Sequence, residues 1–277
     1  MPELPEIETT VRELGSKIKG KTIKSVSVYD PALLRNTDPE QLQSEIEGKK
    51  ITELSRKGKY ILLKLDNGKI LAIHLRMTGK MLLDNKDEHE RICISMDGTK
   101  LVMDDVRRFG TLDLIDNEKE PPLENMGIDP FSDEFTRENF EKLLDSEREI
   151  KRLLLDQKVL AGLGNIYTDE ILHESKISPW KKAKEIDPGK KKILFDQIKE
   201  TLRKAIDKGG TTISDFQTPK GKDGSFQEVL KIYGKDSHEC EKCGDMVSKR
   251  KQGGRSTFYC PNCQSVADRS KKEKQKD

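Results

Sequence analysis

The stretch KKITELSRKGKYILLKLDNGKILAIHLRMTGKMLL, residues 49–83, decides how the first half of the chain is read. It consists of short runs of alternating character separated by turn residues, with Asp66-Asn67-Gly68 the clearest break. The neighbouring runs KTIKSVSVYD (21–30), RICISMDGTKLVMDD (91–105) and RRFGTLDLID (107–116) repeat the pattern, and Asp97-Gly98 supplies a second turn. Short alternating segments joined at regular intervals by Asn-Gly and Asp-Gly pairs are the signature of an antiparallel sandwich or barrel, with hairpins at Asn67-Gly68 and Asp97-Gly98.

Ahead of this sheet the chain reads MPELPEIETTVRELG (1–15), and from Ile7 apolar residues recur at helical spacing through Val11, Leu14 and Ile18. This predicts a helix packing one face on a core. Proline suits the first turn of a helix and acidic side chains there complement its dipole, so Pro2, Glu3 and Glu6 have a plain explanation as a helix start.

Behind the sheet, DNEKEPPLENMGIDP (116–130) combines acidic residues with a Pro-Pro pair and lacks sustained periodicity, which reads as a linker. Helical texture follows in TRENFEKLLDSE (136–147), IKRLLLDQKVLAGLGNIYTDEILHES (150–175) and DPGKKKILFDQIKETLRKAIDKGG (187–210), the last ending on a glycine pair suited to a C-cap. The Gly-, Ser-, Thr- and Lys-rich segment from Thr211 is expected to be a long mobile loop, and RSKKEKQKD at the end a disordered tail. The expected organisation is a first domain at 1–118, a linker at 119–130, a helical domain at 131–235 that carries the loop, a cysteine module at 236–269 and a tail at 270–277. The fold class is α+β.

The chain has 277 residues, 37% of them charged and 33% hydrophobic, and no apolar run approaches the roughly 20 residues of a membrane span. A soluble protein is expected, and the N-terminus lacks the layout of a signal peptide. The net charge of +2 says little about partners, but residues 231–277 hold twelve Lys or Arg against seven Asp or Glu.

Four of the five cysteines, Cys240, Cys243, Cys260 and Cys263, form Cys-x2-Cys-x16-Cys-x2-Cys. This is the spacing of a four-thiolate tetrahedral zinc site on two knuckles, a closed and therefore structural site. Cys93, alone in an apolar strand, reads as a core residue. Between the knuckles, VSKRKQGGRSTFYC (247–260) reads as a basic hairpin with glycines at its tip and Arg255 just beyond. A metal-held hairpin presenting arginine can grip a phosphate backbone, and a solvated hairpin without a ligand explains the same residues equally well.

Three separated stretches, PELPEIE (2–8), GLGNIY (162–167) and GGRSTFYCPNCQ (253–264), together resemble the bacterial formamidopyrimidine-DNA glycosylases, base-excision repair enzymes that remove oxidised purines. The resemblance runs in order along nearly the whole chain. It implies an N-terminal helix with an antiparallel β-sandwich, a helical helix-two-turn-helix domain and a zinc-ribbon β-hairpin holding one structural Zn2+. It further implies a bifunctional glycosylase and apurinic-site lyase, working as a monomer in the bacterial cytoplasm on double-stranded DNA with oxidised purines or abasic sites.

On this resemblance Pro2, freed by removal of Met1, is the nucleophile. An α-amine has a reference pKa near 8, about two units below lysine, so more of it is uncharged at neutral pH. Amine attack on a sugar carbon gives an iminium ion that permits strand cleavage by elimination. Glu3 is implied as the acid that opens the sugar ring, Glu6 as its support, and Lys59 and Arg255 as further catalytic residues. An enzyme that extracts a nucleotide must also fill the gap it leaves in the stack. Met77, Arg107 and Phe109 match that void-filling trio, although plain strand packing explains them otherwise. Asn165, beside Gly162 and Gly164, Lys151, His89 and Arg107 are implied DNA-backbone contacts. His89 lies in DEHERICI, where Arg91 replaces the second histidine of the expected His-x-His form. The loop from Thr211 to Phe226 corresponds to one that closes over the extruded base.

Two rivals are weighed against this. One is an endonuclease VIII-type glycosylase for oxidised pyrimidines, against which Leu4 in PELPE and the Met77 and Arg-x-Phe wedge speak. The other is a zinc-ribbon DNA-binding protein without chemistry, against which Pro2 and Glu3 speak.

Overall fold

A computed structural model of the protein describes residues 1–84, 88–213 and 216–265. The expected tail at 270–277 and the last residues of the cysteine module lie outside the described residues. Two compact units emerge: Met1–Met126 together with Arg203–Glu228, and Gly127–Leu202 together with the chain from Val229.

The first unit opens with helix α1 (Leu4–Ile18), followed by β1 (Ile23–Val28), a short helix α2 (Pro39–Ile46) and seven strands. These are β2 (Ile51–Lys57), β3 (Tyr60–Leu65), β4 (Ile70–His74), β5 (Lys80–Leu83), β6 (Glu90–Met96), β7 (Thr99–Asp104) and β8 (Thr111–Ile115). They form two antiparallel four-stranded sheets, in the orders β1-β6-β7-β5 and β2-β3-β4-β8. Alternation does the sorting. Ile61, Leu63 and Leu65, then Leu71 and Ile73, then Leu112 and Leu114 face one buried core with Ile92, Ile94, Leu101 and Met103, while successive residues point the other way. Helix α1 adds Ile7, Val11, Leu14 and Ile18 to that core at the spacing its sequence predicts. The hairpins fall at the expected turns, with Lys64 opposite Ile70 around Asn67-Gly68 and Met96 opposite Thr99 around Asp97-Gly98.

The acidic Pro-Pro segment is anchored: Leu123 is fully buried against Leu62, Ile70, Ala72 and Ile115 on the outer face of the second sheet. The segment from Thr211 is expected to be mobile, but within the first compact unit its described residues are tied down. The Leu83 N–H donates to the Pro219 carbonyl (2.9 Å), Phe226 N–H to the Gly210 carbonyl (3.0 Å) and Gly224 N–H to the Thr212 hydroxyl (2.9 Å). Phe216, Thr218 and Phe226 are buried.

The second unit contains α3 (Arg137–Leu143), α4 (Ile150–Leu154), α5 (Asn165–Glu174) and most of α6 (Pro188–Asp207), followed by the hairpin β9 (Ser248–Gln252) and β10 (Arg255–Tyr259). Phe135, Phe140 and Phe195 stack into its helical core. Buried Glu170 on α5 accepts the N–H groups of Lys231, Ile232 and Tyr233 at 2.8–3.0 Å, fixing the chain that leads into the cysteine module. Among the described residues no helix is long and apolar enough to cross a membrane.

Candidate active site and metal centre

The first turn of α1 places Pro2 differently from a helix start. The helix begins at Leu4 with Glu3 as N-cap, so the proline of its first turn is Pro5, and Pro2 stands ahead of the helix, buried behind a half-exposed Met1. Glu3 and Glu6 are 2% and 1% exposed. One Glu6 oxygen, Oε2, accepts the Glu3 N–H at 2.7 Å, closing a capping box, and the other, Oε1, accepts the Thr211 N–H at 2.7 Å. Gly210, at φ +84°, makes this approach possible, because a Cβ there would stand 2.8 Å from Oε1.

Lys59 is buried in the turn between β2 and β3, after Gly58 at φ +55°. Close by is His74, a residue the sequence reading passed over. It lies opposite Tyr60 in the β3–β4 ladder, with the Tyr60 ring edge-on at 4.7 Å, and its Nδ1 accepts the Arg76 N–H at 2.9 Å. Burial, then the positive charges of Arg76 and Lys59, hold its imidazole down to about 3, so it is neutral at pH 7. Counting outward from the Asn67-Gly68 turn would have paired positions 60 and 74, and that register was the available signal.

Met77, Arg107 and Phe109 come together from the β4–β5 and β7–β8 connections. The Arg107 guanidinium lies 4.8 Å from the Phe109 ring centroid, its Nη1 is 3.5 Å from Met77 Sδ, and Met77 and Phe109 are 44% and 49% exposed. Plain strand packing is excluded for such solvent-facing apolar groups. His89, half-buried before β6, uses its backbone N–H on Asp104 Oδ2 (3.1 Å), and Arg91 Nε donates to the Asp105 carbonyl (2.9 Å).

The remaining expected residues belong to the second unit. Lys151 is a correction. It is 1% exposed, and its ammonium forms an ion pair with Asp169 Oδ1 (2.7 Å) and donates to the Thr257 hydroxyl (2.9 Å) and the Ser256 carbonyl (3.0 Å), which leaves no open face for a DNA phosphate. Burial pushes the Asp169 carboxyl up to about 7, against the opposing pull of Lys151 and of the Phe258 N–H. Asn165, first residue of α5, donates from Nδ2 to the same Ser256 carbonyl (2.8 Å). Both side chains thus hold the residue next to Arg255, which is exposed at the start of β10 beyond Gly253 and Gly254. Gly162, at φ +98°, donates its N–H to Gln157 Oε1 (2.9 Å) in the turn before α5.

The four knuckle cysteines converge as the spacing requires, with all four Sγ atoms within 4.8 Å of one another. Cys243 and Cys260 Sγ are 3.4 Å apart, and Cys240 and Cys263 Sγ 3.9 Å. A hydrogen bond to the Asp245 backbone leads in lowering the Cys243 thiol to about 7, while burial pushes Cys260 and Cys263 up. Four clustered thiols fit a zinc ion that binds all of them as thiolates at about 2.3 Å, with no position left for substrate. Buried His173 adds its Nε2 at 3.3 Å from Cys240 Sγ.

Comparison with known proteins follows this division. Residues 1–112 match the formamidopyrimidine-DNA glycosylase N-terminal domain, 126–217 the formamidopyrimidine-DNA glycosylase H2TH domain, and 237–266 the zinc finger found in FPG and IleRS. The chain is 40% identical over 269 residues to the formamidopyrimidine-DNA glycosylase of Carboxydothermus hydrogenoformans, covering 95% of this chain and all of that one. It is 40% identical over 275 residues to that of Bacillus subtilis, covering 96% and 99%. Among solved structures, Lactococcus lactis Fpg in complex with DNA containing an abasic site has a TM-score of 0.88 at 38% identity, covering 95% of this chain and 99% of that one. MutM in complex with DNA containing carbocyclic 8-oxo-G has a TM-score of 0.87 at 38% identity, covering 95% and 100%. Neither rival reading is favoured by these matches. With all three segments matched in order and relatives aligned over their full length, the chain belongs to the formamidopyrimidine-DNA glycosylase family.

Proposed function

We propose that this protein is a base-excision repair enzyme that removes oxidised purines, formamidopyrimidines and 8-oxoguanine, and then cuts the strand at the resulting abasic site. The observation that carries the reading is the start of α1, where Pro2 precedes the helix beside two buried carboxylates.

Once Met1 is removed, the Pro2 nitrogen attacks the anomeric carbon of the damaged nucleotide. The glycosidic bond breaks, its electron pair leaves with the base, and the base takes up the proton that the attacking nitrogen loses. Glu3 gives a proton to the ring oxygen as the sugar opens, and an iminium ion forms between carbon and proline nitrogen. That cation acidifies the adjacent carbon, whose proton loss expels the 3′ phosphate, and a second elimination expels the 5′ phosphate. Glu6 holds the backbone beside the nucleophile through the Glu3 N–H. Lys59 adds positive charge near the site, and Arg255 and Asn165 serve the phosphates. Met77, Arg107 and Phe109 fill the space vacated by the extruded nucleotide. Zinc, when bound, holds the hairpin that presents Arg255 and takes no part in the chemistry. The enzyme works as a monomer on chromosomal DNA in the bacterial cytoplasm.

Borohydride trapping on a duplex carrying 8-oxoguanine opposite cytosine, with peptide mapping, tests this. A covalent adduct at Pro2 of the Met1-trimmed protein is expected. Absence of both adduct and strand cleavage would overturn the reading. Excision of thymine glycol without 8-oxoguanine activity would transfer it to the pyrimidine-specific branch.

A further inference from the structure

Asp105 follows β7 and is completely buried. Its Oδ1 accepts the Thr78 hydroxyl at 2.5 Å and the Arg107 N–H at 3.2 Å, and its Oδ2 accepts the Gly110 N–H at 2.7 Å. Its own N–H donates to the His89 carbonyl (3.1 Å), and its carbonyl accepts Arg91 Nε (2.9 Å). One residue therefore ties together three connections that meet nowhere in sequence: the turn with Met77 and Thr78, the loop with Arg107 and Phe109, and the segment entering β6.

The surroundings are built for this contact. A Cβ on Gly110 would stand 2.3 Å from the Met103 methyl and 3.1 Å from Asp105 Oδ2, so glycine leaves the most room for that N–H to reach the carboxylate. Arg76 and Arg108, next to Met77 and Arg107, adopt φ +53° and +60°. Non-glycine residues persist in this region only where surrounding contacts over-determine them. Arg108 is held by a two-pronged ion pair with Asp30, Nη2 to Oδ1 at 2.9 Å and Nε to Oδ2, and the Arg107 N–H is held by Asp105. The result is three large side chains turned to solvent, with Arg107 touching both Met77 and Phe109.

We infer that Asp105 is the positioning residue that fixes Met77, Arg107 and Phe109 as one rigid wedge. This rests on the reading of those three as the void-filling group. A wedge that entered the base stack from independently moving loops would spend part of its contact energy on being ordered, and Asp105 removes that cost before DNA arrives.

The test compares strand cleavage at an abasic site in a duplex, where an opposing base must be supported, with cleavage of the same abasic strand alone. In Asp105→Asn, an amide N–H2 of equal size faces the N–H and O–H donors that the carboxylate accepts. The duplex-to-single-strand rate ratio is expected to fall about tenfold, as for loss of a buried charge-assisted hydrogen bond. A fluorescent 2-aminopurine opposite the abasic site should lose its response to wedge insertion. Thr78→Val removes one link and leaves the carboxylate intact, so it should lower the ratio about threefold even if Asp105→Asn folds poorly. Met77→Ala and Phe109→Ala calibrate the assay. An unchanged ratio in these two would sink the void-filling reading itself. A reduced ratio in them with wild-type ratios in both Asp105→Asn and Thr78→Val would overturn the role of Asp105 alone.

Discussion

Glu6 and Thr211, 205 positions apart, are joined by a 2.7 Å hydrogen bond from the Thr211 N–H to Glu6 Oε1. The second Glu6 oxygen holds the Glu3 N–H, so one buried carboxylate links the backbone beside Pro2 to the start of the segment implied to close over the extruded base. Glu6→Gln keeps the volume but turns an amide N–H2 toward one of these donors. Amide exchange at Glu3 or Thr211 is expected to quicken by about tenfold or more, since a buried donor facing a charged acceptor loses about 1.5–3 kcal/mol. Hydrogen exchange resolved to these two amides checks it, and unchanged protection at both would show that the carboxylate is not what holds them.

Gly210 gives a second route to the same contact. Its φ of +84° already disfavours any side chain, and a Cβ would press on the Glu6 carboxylate. Gly210→Ala should therefore displace Glu6 and slow excision while leaving zinc content unchanged. Metal analysis alongside single-turnover excision separates this from general unfolding.

Lys151→Met should behave as loss of a structural charge, not of a DNA contact. It strands Asp169, fully buried, without its ammonium partner, and breaking such a pair costs about 3–5 kcal/mol. An unfolding free energy lowered to that extent, read from a lower denaturant midpoint, is the expected result. Unaltered stability combined with weaker, salt-dependent DNA binding would restore the phosphate-contact reading.

The sheets were legible because their information is local: inward and outward residues alternate within each strand, and Asn67-Gly68 and Asp97-Gly98 mark the turns. The cysteine spacing was legible for the same reason. Lys151 was not, because a lysine on a short helix reads as solvent-facing until its partner is known, and Asp169 and Thr257 lie 18 and 106 positions away. The segment after Thr211 misled through composition. Its glycines and lysines suggest mobility, yet its anchors are Glu6 and Leu83, supplied by distant parts of the chain. The helix at Pro39–Ile46 escaped notice because it buries only Leu42 and Ile46 in its short length.

Metal retention should depend on His173. Its Nε2 lies 3.3 Å from Cys240 Sγ, and Nδ1 has no hydrogen-bond partner among the described residues. Opposite a zinc-bound thiolate, which only accepts, Nε2 must carry the proton and donate. His173→Phe keeps the ring and removes the donor, and such partners are worth about 10–100-fold in metal affinity. Zinc transfer to a competing chelator should be correspondingly easier. Equal retention in both proteins would reduce His173 to a packing residue.

Acid should destabilise the fold through His74. His74 is held neutral, with its imidazole at about 3 against an ordinary value of 6.5, so in that interval the unfolded chain binds a proton that the folded protein refuses. Stability therefore rises with pH across the window and is lost as pH falls below 6.5. The contribution is at most about 1.4 kcal/mol per pH unit, or about 2 kcal/mol between pH 6.5 and 5, before most carboxylates titrate. His74→Asn retains an acceptor for the Arg76 N–H but cannot titrate. Its lost packing against Tyr60 shifts stability equally at all pH values. The difference between wild-type and His74→Asn unfolding free energies should accordingly be flat above pH 7 and shrink from pH 6.5 downward. A difference independent of pH would mean that His74 takes up a proton in the fold as readily as in the unfolded chain, so that burial, Lys59 and Arg76 do not hold it neutral.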